Sequence, residues 1–172
     1  MRKFVVIAAL AASLAASLVG CAKPDVDVAF DPVEAAFIHR PGKARINGHA
    51  FFRAENGRVI FAAGEYVYLI PATAYSDARF AAFFEDRKYL KAMRLFLTME
   101  SHPDYQKYMR NTKAESDGRF AFENVAPGTY YVWTQATWYA ENSILPSGGL
   151  IYEKFIVRGD EKEAVKVIVS GK

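Results

Sequence analysis

Residues 116–133 read SDGRFAFENVAPGTYYVW, and the spacing of their glycines and aromatics decides the fold. Ser116-Asp117-Gly118 has the composition of a tight hairpin turn, where glycine takes a positive φ that side chains resist. Phe120 and Phe122 then alternate with Arg119, Ala121 and Glu123, the period-two pattern of a half-buried strand. Asn124 to Gly128 forms a second turn built on Pro127-Gly128, with Gly128 a second expected site of positive φ. A long strand follows, Thr129 to about Trp138. Tyr130, just after the Pro-Gly turn, is placed to bury its ring and hydrogen-bond a loop through its hydroxyl, as a tyrosine corner does. Phe120, Phe122, Val125, Tyr130 and Val132 are therefore expected to fill the space between two sheets, so the stretch is chiefly architecture.

The same rhythm extends in both directions. Upstream, Ile46, Gly48, Ala50 and Phe52 alternate with Asn47, His49, Phe51 and Arg53. Glu55-Asn56-Gly57-Arg58 is a turn, and a weaker apolar run, Val59 to Ala63, follows it. Val67 and Leu69 then share one face of a strand, with Tyr66, Tyr68 and Ile70 on the other. Pro71 cannot donate to a ladder, so that strand ends there or lies at an edge. Residues 108–115 are polar and compatible with a strand. Downstream, a glycine-rich loop at Ser147-Gly148-Gly149 precedes strands over Leu150–Val157 and Ala164–Val169, joined by Gly159-Asp160-Glu161. Short strands divided by turn signals indicate a β-sandwich. With 172 residues, of which 52% are apolar, the chain can bury a core of one domain.

Residues 76–100 interrupt the rhythm with no glycine or proline. Ser76 or Asp77 is a plausible cap, and Phe83, Leu90, Met93 and Leu97 recur near helical spacing, widened by Phe80 and Phe84. The pattern predicts one helix, whole or broken, ended by His102-Pro103-Asp104; a strand over Arg94–Met99 is the alternative.

Ile46-x-Gly48, Gly64-x-x-Val67-x-Leu69-x-Pro71 and Asp117-Gly118-Arg119-Phe120-x-Phe122-x-x-Val125-x-Pro127-Gly128-x-Tyr130-x-Val132 together resemble the carboxypeptidase regulatory-like domain. That resemblance implies a mainly β, seven-stranded, transthyretin-like (prealbumin-like) Greek-key β-sandwich. It covers about residues 43–169 of a domain drawn at 43–172, apart from an insert at about 72–111 whose helix lies around 76–100. It is a resemblance of fold and names no function.

Residues 1–20 open with Arg2 and Lys3 and continue as an apolar Ala/Leu/Val run, the layout of an export signal; a retained membrane anchor is the alternative. Leu18-Val19-Gly20-Cys21 resembles a bacterial lipobox, which implies a signal peptide over 1–20 and an acylated Cys21 as the mature N-terminus. Cys21 is the one cysteine of the chain, so no internal disulfide forms and acylation accounts for the thiol. Acylation moors the chain to a membrane, and by the same resemblance Ala22 favours the outer over the inner membrane, facing the periplasm of a bacterial envelope. Residues 21–42, with Pro24, Pro32 and Pro41, read as a lipidated tether on which Phe37 and Ile38 are placed to pack against the domain.

Chemistry is sparse. The formal charge of +3 includes Arg2 and Lys3 and gives no reason to expect nucleic acid. His39, His49 and His102 fall at no metal-ligand spacing, so neither metal nor cofactor is expected. The related intradiol dioxygenases need a close histidine pair, and hydroxyisourate hydrolase needs a C-terminal Tyr-Arg-Gly-Ser where this chain has Val169-Ser170-Gly171-Lys172. Asp117 and Glu123 are turn acids, and Ser147-Gly148-Gly149 lacks the setting of a nucleophile elbow. The expectation is a protein that is not an enzyme. If Tyr130 and Val132 face inward, then Tyr131, Trp133 and Tyr139 face outward, as do Tyr66 and Tyr68. These five aromatics are either a contact surface for an envelope protein or a glycan, or a second small core beneath the inserted helix. An accessory module for a protein partner and a carbohydrate or peptidoglycan binder are the two functional expectations.

Overall fold

The structure is a computed structural model that describes residues 26–94 and 101–171; the expectations for the leader, Cys21 and Leu97 lie outside the described residues. Among the described residues, nine strands and two short α-helices follow each other in the order α1 (Pro32–Ala35), β1 (Ala44–Arg53), β2 (Val59–Phe61), β3 (Tyr66–Pro71), α2 (Ala74–Phe84), β4 (Tyr89–Lys91), β5 (Arg110–Lys113), β6 (Arg119–Val125), β7 (Gly128–Tyr139), β8 (Pro146–Val157) and β9 (Val165–Gly171). They form a mainly β sandwich of two sheets, as expected. β4 comes from the insert, while β5 forms at its end, within the 108–115 stretch expected to be a strand.

In the first sheet β1 is central. Ile46 to His49 pair with both β6 and β9, which therefore lie on opposite edges of β1; β2 continues the β6 edge along Phe51 to Arg53. β1 and β9 run parallel, whereas the other paired strands described run antiparallel. A parallel pair needs a long crossover, and here nearly the whole domain lies between the two strands. The second sheet has the order β4-β8-β7-β3-β5. Pro71 is in an internal strand, yet it is the last residue of β3, two beyond Leu69, where pairing with β5 stops, so no ladder bond is lost.

The opening stretch is the hinge between the sheets. Gly118 (φ +79) donates to the Glu115 carbonyl at 2.9 Å, and Glu115 N donates to Arg119 O at 2.8 Å. This is the expected turn, but β5 before it pairs with β3 and β6 after it pairs with β1, so it carries the chain from one sheet to the other. A Cβ on Gly118 would lie 2.3 Å from the Ala50 carbonyl oxygen. Gly128 has φ +159, close to extended, so its constraint is contact: a Cβ there would meet the Phe37 ring at 2.4 Å. Phe120, Phe122, Val125, Tyr130 and Val132 are all buried in the core between the sheets. The Tyr130 hydroxyl donates to the Ala126 carbonyl at 2.8 Å, a tyrosine corner, and its ring meets Phe37 edge-on at 5.2 Å. Ser147-Gly148-Gly149 is not a loop; it is paired strand in β8, opposite Trp138, Thr137 and Ala136.

The insert builds a second core on the outer face of the second sheet. Helix α2 is capped by Thr73, earlier than the expected Ser76 or Asp77. Thr73 Oγ1 accepts from Ser76 N at 3.1 Å, and Thr73 N donates to Ser76 Oγ at 2.7 Å, a reciprocal capping box. The helix stops at Phe84 because Glu85 and Asp86 turn left-handed (φ 49 and 62). Leu90, assigned to a helical stripe by spacing, lies instead on strand β4 opposite Leu150, and is buried. It still reaches the same apolar cluster, with Ile70, Phe80, Phe84, Tyr131 and Leu150. The N-terminal segment joins in: Val26, Val28 and Phe30 pack against this cluster, Glu34 Oε1 accepts from Ala74 N at 3.0 Å, and Ile38 is buried in the main core. From Val26 onward the segment read as tether is thus packed against the domain.

Candidate ligand groove

Tyr68 on β3 and Trp133 on β7 are directly opposite each other in antiparallel pairing. Cross-strand neighbours on one face come within ring contact, and these two stack with centroids 4.7 Å apart and planes 16° apart. Together with Ile70 and Leu150 they floor an open groove of about 540 Å³, within the range of small-ligand sites. Arg79, Phe80, Phe83 and Phe84 of α2 form one wall. Ser101, Tyr105, Gln106, Met109 and Asn111 form the other, with Gln106 and Asn111 exposed at its rim. The floor is thus aromatic and apolar and the rim carries amides, an arrangement that can bind the CH faces and hydroxyls of one ligand together.

The five outward aromatics expected from alternation separate into three settings. Tyr68 and Trp133 are half-buried in the groove. Tyr131 is buried beneath Phe80, with rings 3.9 Å apart and 9° from parallel, and its hydroxyl donates to Asp77 Oδ1 at 2.7 Å. Burial, then the Asp77 carboxylate, pushes the Tyr131 phenol upward, so it stays a neutral donor. The same carboxylate oxygen accepts from Lys154 Nζ at 2.8 Å. Tyr66 is exposed next to Tyr68, ring centroids 6.3 Å apart, and does not line the groove. Tyr139 is exposed at the tip of the β7–β8 hairpin, where Ile144 (92% exposed) and Leu145 are also bare. The second-core expectation thus describes Tyr131, while Tyr66, Tyr68, Trp133 and Tyr139 stay accessible.

The walls were not legible from sequence. Arg79 lies three residues after Ser76 on a helix read only for its apolar stripe, and Tyr105, Gln106 and Asn111 belong to no motif. The one signal was the aromatic richness of 75–84, which needed something to cover. The Arg79 guanidinium lies over the Tyr75 and Tyr105 rings at 5.5 and 5.3 Å. Desolvation raises the Tyr105 phenol, so it too is neutral. His39 packs on Tyr108 and His102 on Phe30, while His49 lies 2.9 Å from the Asp117 carbonyl oxygen on the far sheet. Among the described residues, no three of His, Cys, Asp and Glu come together to hold a metal ion.

No family model and no curated protein matches the chain. Among solved structures it is similar to a crystal structure from Pseudomonas aeruginosa described as a "putative carbohydrate binding protein". The two are 24% identical with a TM-score of 0.70, over 85% of this chain and 99% of that one. At that identity the likeness shows a shared β fold.

Proposed function

We propose that this domain is a glycan-binding module that holds its ligand without transforming it. The observation that carries the reading is the stacked Tyr68–Trp133 pair at the floor of an open groove with an amide rim. Aromatic rings suit the apolar CH faces of a sugar, and amides at the edge suit its hydroxyls. The description given to the similar Pseudomonas aeruginosa structure points the same way. In this reading the domain belongs with the carboxypeptidase regulatory-like sandwiches, and acylated Cys21 moors it to the outer membrane, facing the periplasm, where envelope glycans are at hand. The test is calorimetric titration of the full chain, solubilised in detergent, with fragments of envelope polysaccharide and peptidoglycan. Saturable binding lost in Tyr68→Ala and Trp133→Ala supports the reading; no binding by any glycan ends it.

A protein partner is the second reading, favoured by the bare apolar hairpin tip of Tyr139, Ile144 and Leu145. Exposed aromatics and branched apolar side chains at one tip are the makings of a contact hot spot. Pull-down from envelope membranes with wild type and with Ile144→Asp distinguishes a partner held at the tip from a glycan held in the groove.

A further inference from the structure

We infer that the groove is built for a sugar that carries an acetamido group, an N-acetylated hexosamine, and that Gln106, Met109 and Asn111 receive that group; this rests on the glycan reading above. Asn111 on β5 pairs with Tyr68 on β3, and Tyr68 pairs with Trp133 on β7. The three side chains therefore stand in one row on one face of the sheet, with neighbouring strands about 4.8 Å apart. Met109 is extended (φ −123, ψ 145) and lies two residues before Asn111, so its side chain falls on the same face. Gln106 comes from the 3-10 turn Tyr105–Tyr108 just before it. All three line the groove, Met109 half-buried and the two amides exposed. The wall beside the aromatic pair thus reads amide, thioether, amide.

An acetamido group offers an N–H, a carbonyl and a methyl. A side-chain amide both donates and accepts, so Gln106 and Asn111 can serve the carbonyl and the N–H. The Met109 thioether between them is soft, apolar and at most a weak acceptor. A methyl that leaves water there gains by it, whereas a hydroxyl in its place gives up water for no partner of comparable strength. A plain hexose carries that hydroxyl. The acetamido group branches directly from the sugar ring, so a ring seated on Tyr68 and Trp133 carries it over the next strand, where Met109 and Asn111 lie. The wall is also fixed before a ligand arrives. Asn111 is held in the β5 ladder, and Tyr105, next to Gln106, is buried with its ring edge-on to Tyr75 at 5.0 Å and to Phe30 at 5.7 Å. A site held in this way gives up little freedom on binding.

The experiment titrates the full chain, in a detergent without a sugar head group, with matched pairs: chito-oligosaccharides against cello-oligosaccharides of the same length, which differ only in the acetamido group on each sugar. The expected result is a preference of about tenfold or more for the acetylated member, the joint effect of one hydrogen-bonded amide and one buried methyl. Met109→Ser and Asn111→Ala are each expected to weaken chito-oligosaccharide binding more than cello-oligosaccharide binding and so to narrow that ratio, while Trp133→Ala lowers both affinities. Equal or tighter binding of the cello-oligosaccharides overturns the acetamido inference and leaves the glycan reading standing. Binding of neither overturns it as well, and the glycan reading then stands or falls on its own titration with envelope polysaccharide. A ratio unchanged in Met109→Ser, Asn111→Ala and Gln106→Ala overturns the role given to this wall. Should Met109→Ser melt far below wild type, Gln106→Ala, at an exposed position, still tests the wall, and the wild-type pairs still decide the ligand class.

Discussion

The two sheets turn unlike surfaces outward. On the second sheet, Ile70, Tyr131 and Leu150 lie beneath α2 and the packed N-terminal segment, and the space the cover leaves becomes a groove over Tyr68 and Trp133. On the first sheet the outward positions of β1, β2, β6 and β9 carry His49, Phe51, Phe61 and Ile168 among Arg53, Arg119 and Lys166, and Phe61 (39% exposed) and Ile168 (60% exposed) remain open. The strands of both sheets alternate alike. What differs is the cover: the connection between β3 and β6, with the N-terminal segment packed beside it, gives one face a roof. A flat aromatic face offers contact on one side only, whereas a roofed one can surround a ligand.

The largest expected effect tests whether the roof is a packed core. Phe80 stacks on Tyr131 at 3.9 Å and on Phe84 at 5.6 Å and is buried. Phe80→Ala should cost about 3–5 kcal/mol, the range for truncating a buried phenylalanine. A chain of this size would then melt roughly 2–4 °C lower for each kcal/mol lost. A cost below about 1 kcal/mol would mean that the two faces are equally bare, and the contrast would collapse.

Next in size is the corner of the main core. Tyr130→Phe leaves the Ala126 carbonyl without its 2.8 Å donor and should cost about 1–3 kcal/mol in urea unfolding at neutral pH. Burial raises the Tyr130 phenol to about 12, above an unfolded value near 10. The folded state thus favours the neutral hydroxyl, and the stability this group contributes is complete below about pH 10 and lost as pH rises toward 12. The cost of Tyr130→Phe should therefore shrink over that interval. A cost that grows with pH would contradict the sign. Tyr105 and Tyr131 shift upward from the same cause, so wild type should unfold steeply in alkali.

Tyr130 and Tyr131 also mark how far the sequence could be read. Their opposite orientations follow from period two, and the corner hydrogen bond follows from the Pro-Gly turn before Tyr130, because both depend on neighbours in the chain. The burial of Tyr131 depends on Phe80, fifty-one residues away, across a connection with no repeat to fix its path. Leu90 shows the same limit from the other side. Spacing assigned it to the correct apolar cluster but the wrong element, since an isolated apolar residue fits a helix stripe and a three-residue strand equally well. The left-handed Glu85 and Asp86 that end α2 carry no glycine to announce them. Within the groove, then, the floor was legible and the walls were not.

Trp133→Ala probes the groove with a smaller effect on the fold. Trp133 is half-buried, so its loss should destabilise less than that of Phe80, while glycan affinity falls at least tenfold, about 1.4 kcal/mol. Titration and melting measured on the same preparation separate the two. A large loss of stability with affinity unchanged would make Trp133 part of the roofed core and move the ligand elsewhere.

The smallest expected effect falls on the face without a roof. Phe61 stacks loosely on His49, with centroids 5.4 Å apart, at the end of a three-residue strand. Truncating a side chain that water already reaches removes little transfer energy, so Phe61→Ala should lie within about 0.5 kcal/mol of wild type. It should leave glycan affinity untouched, since the whole sandwich separates it from Trp133. The informative failure would be a large cost that grows with protein concentration, because mass action stabilises a folded chain only when something binds it. The first sheet would then have its cover after all, supplied by another molecule.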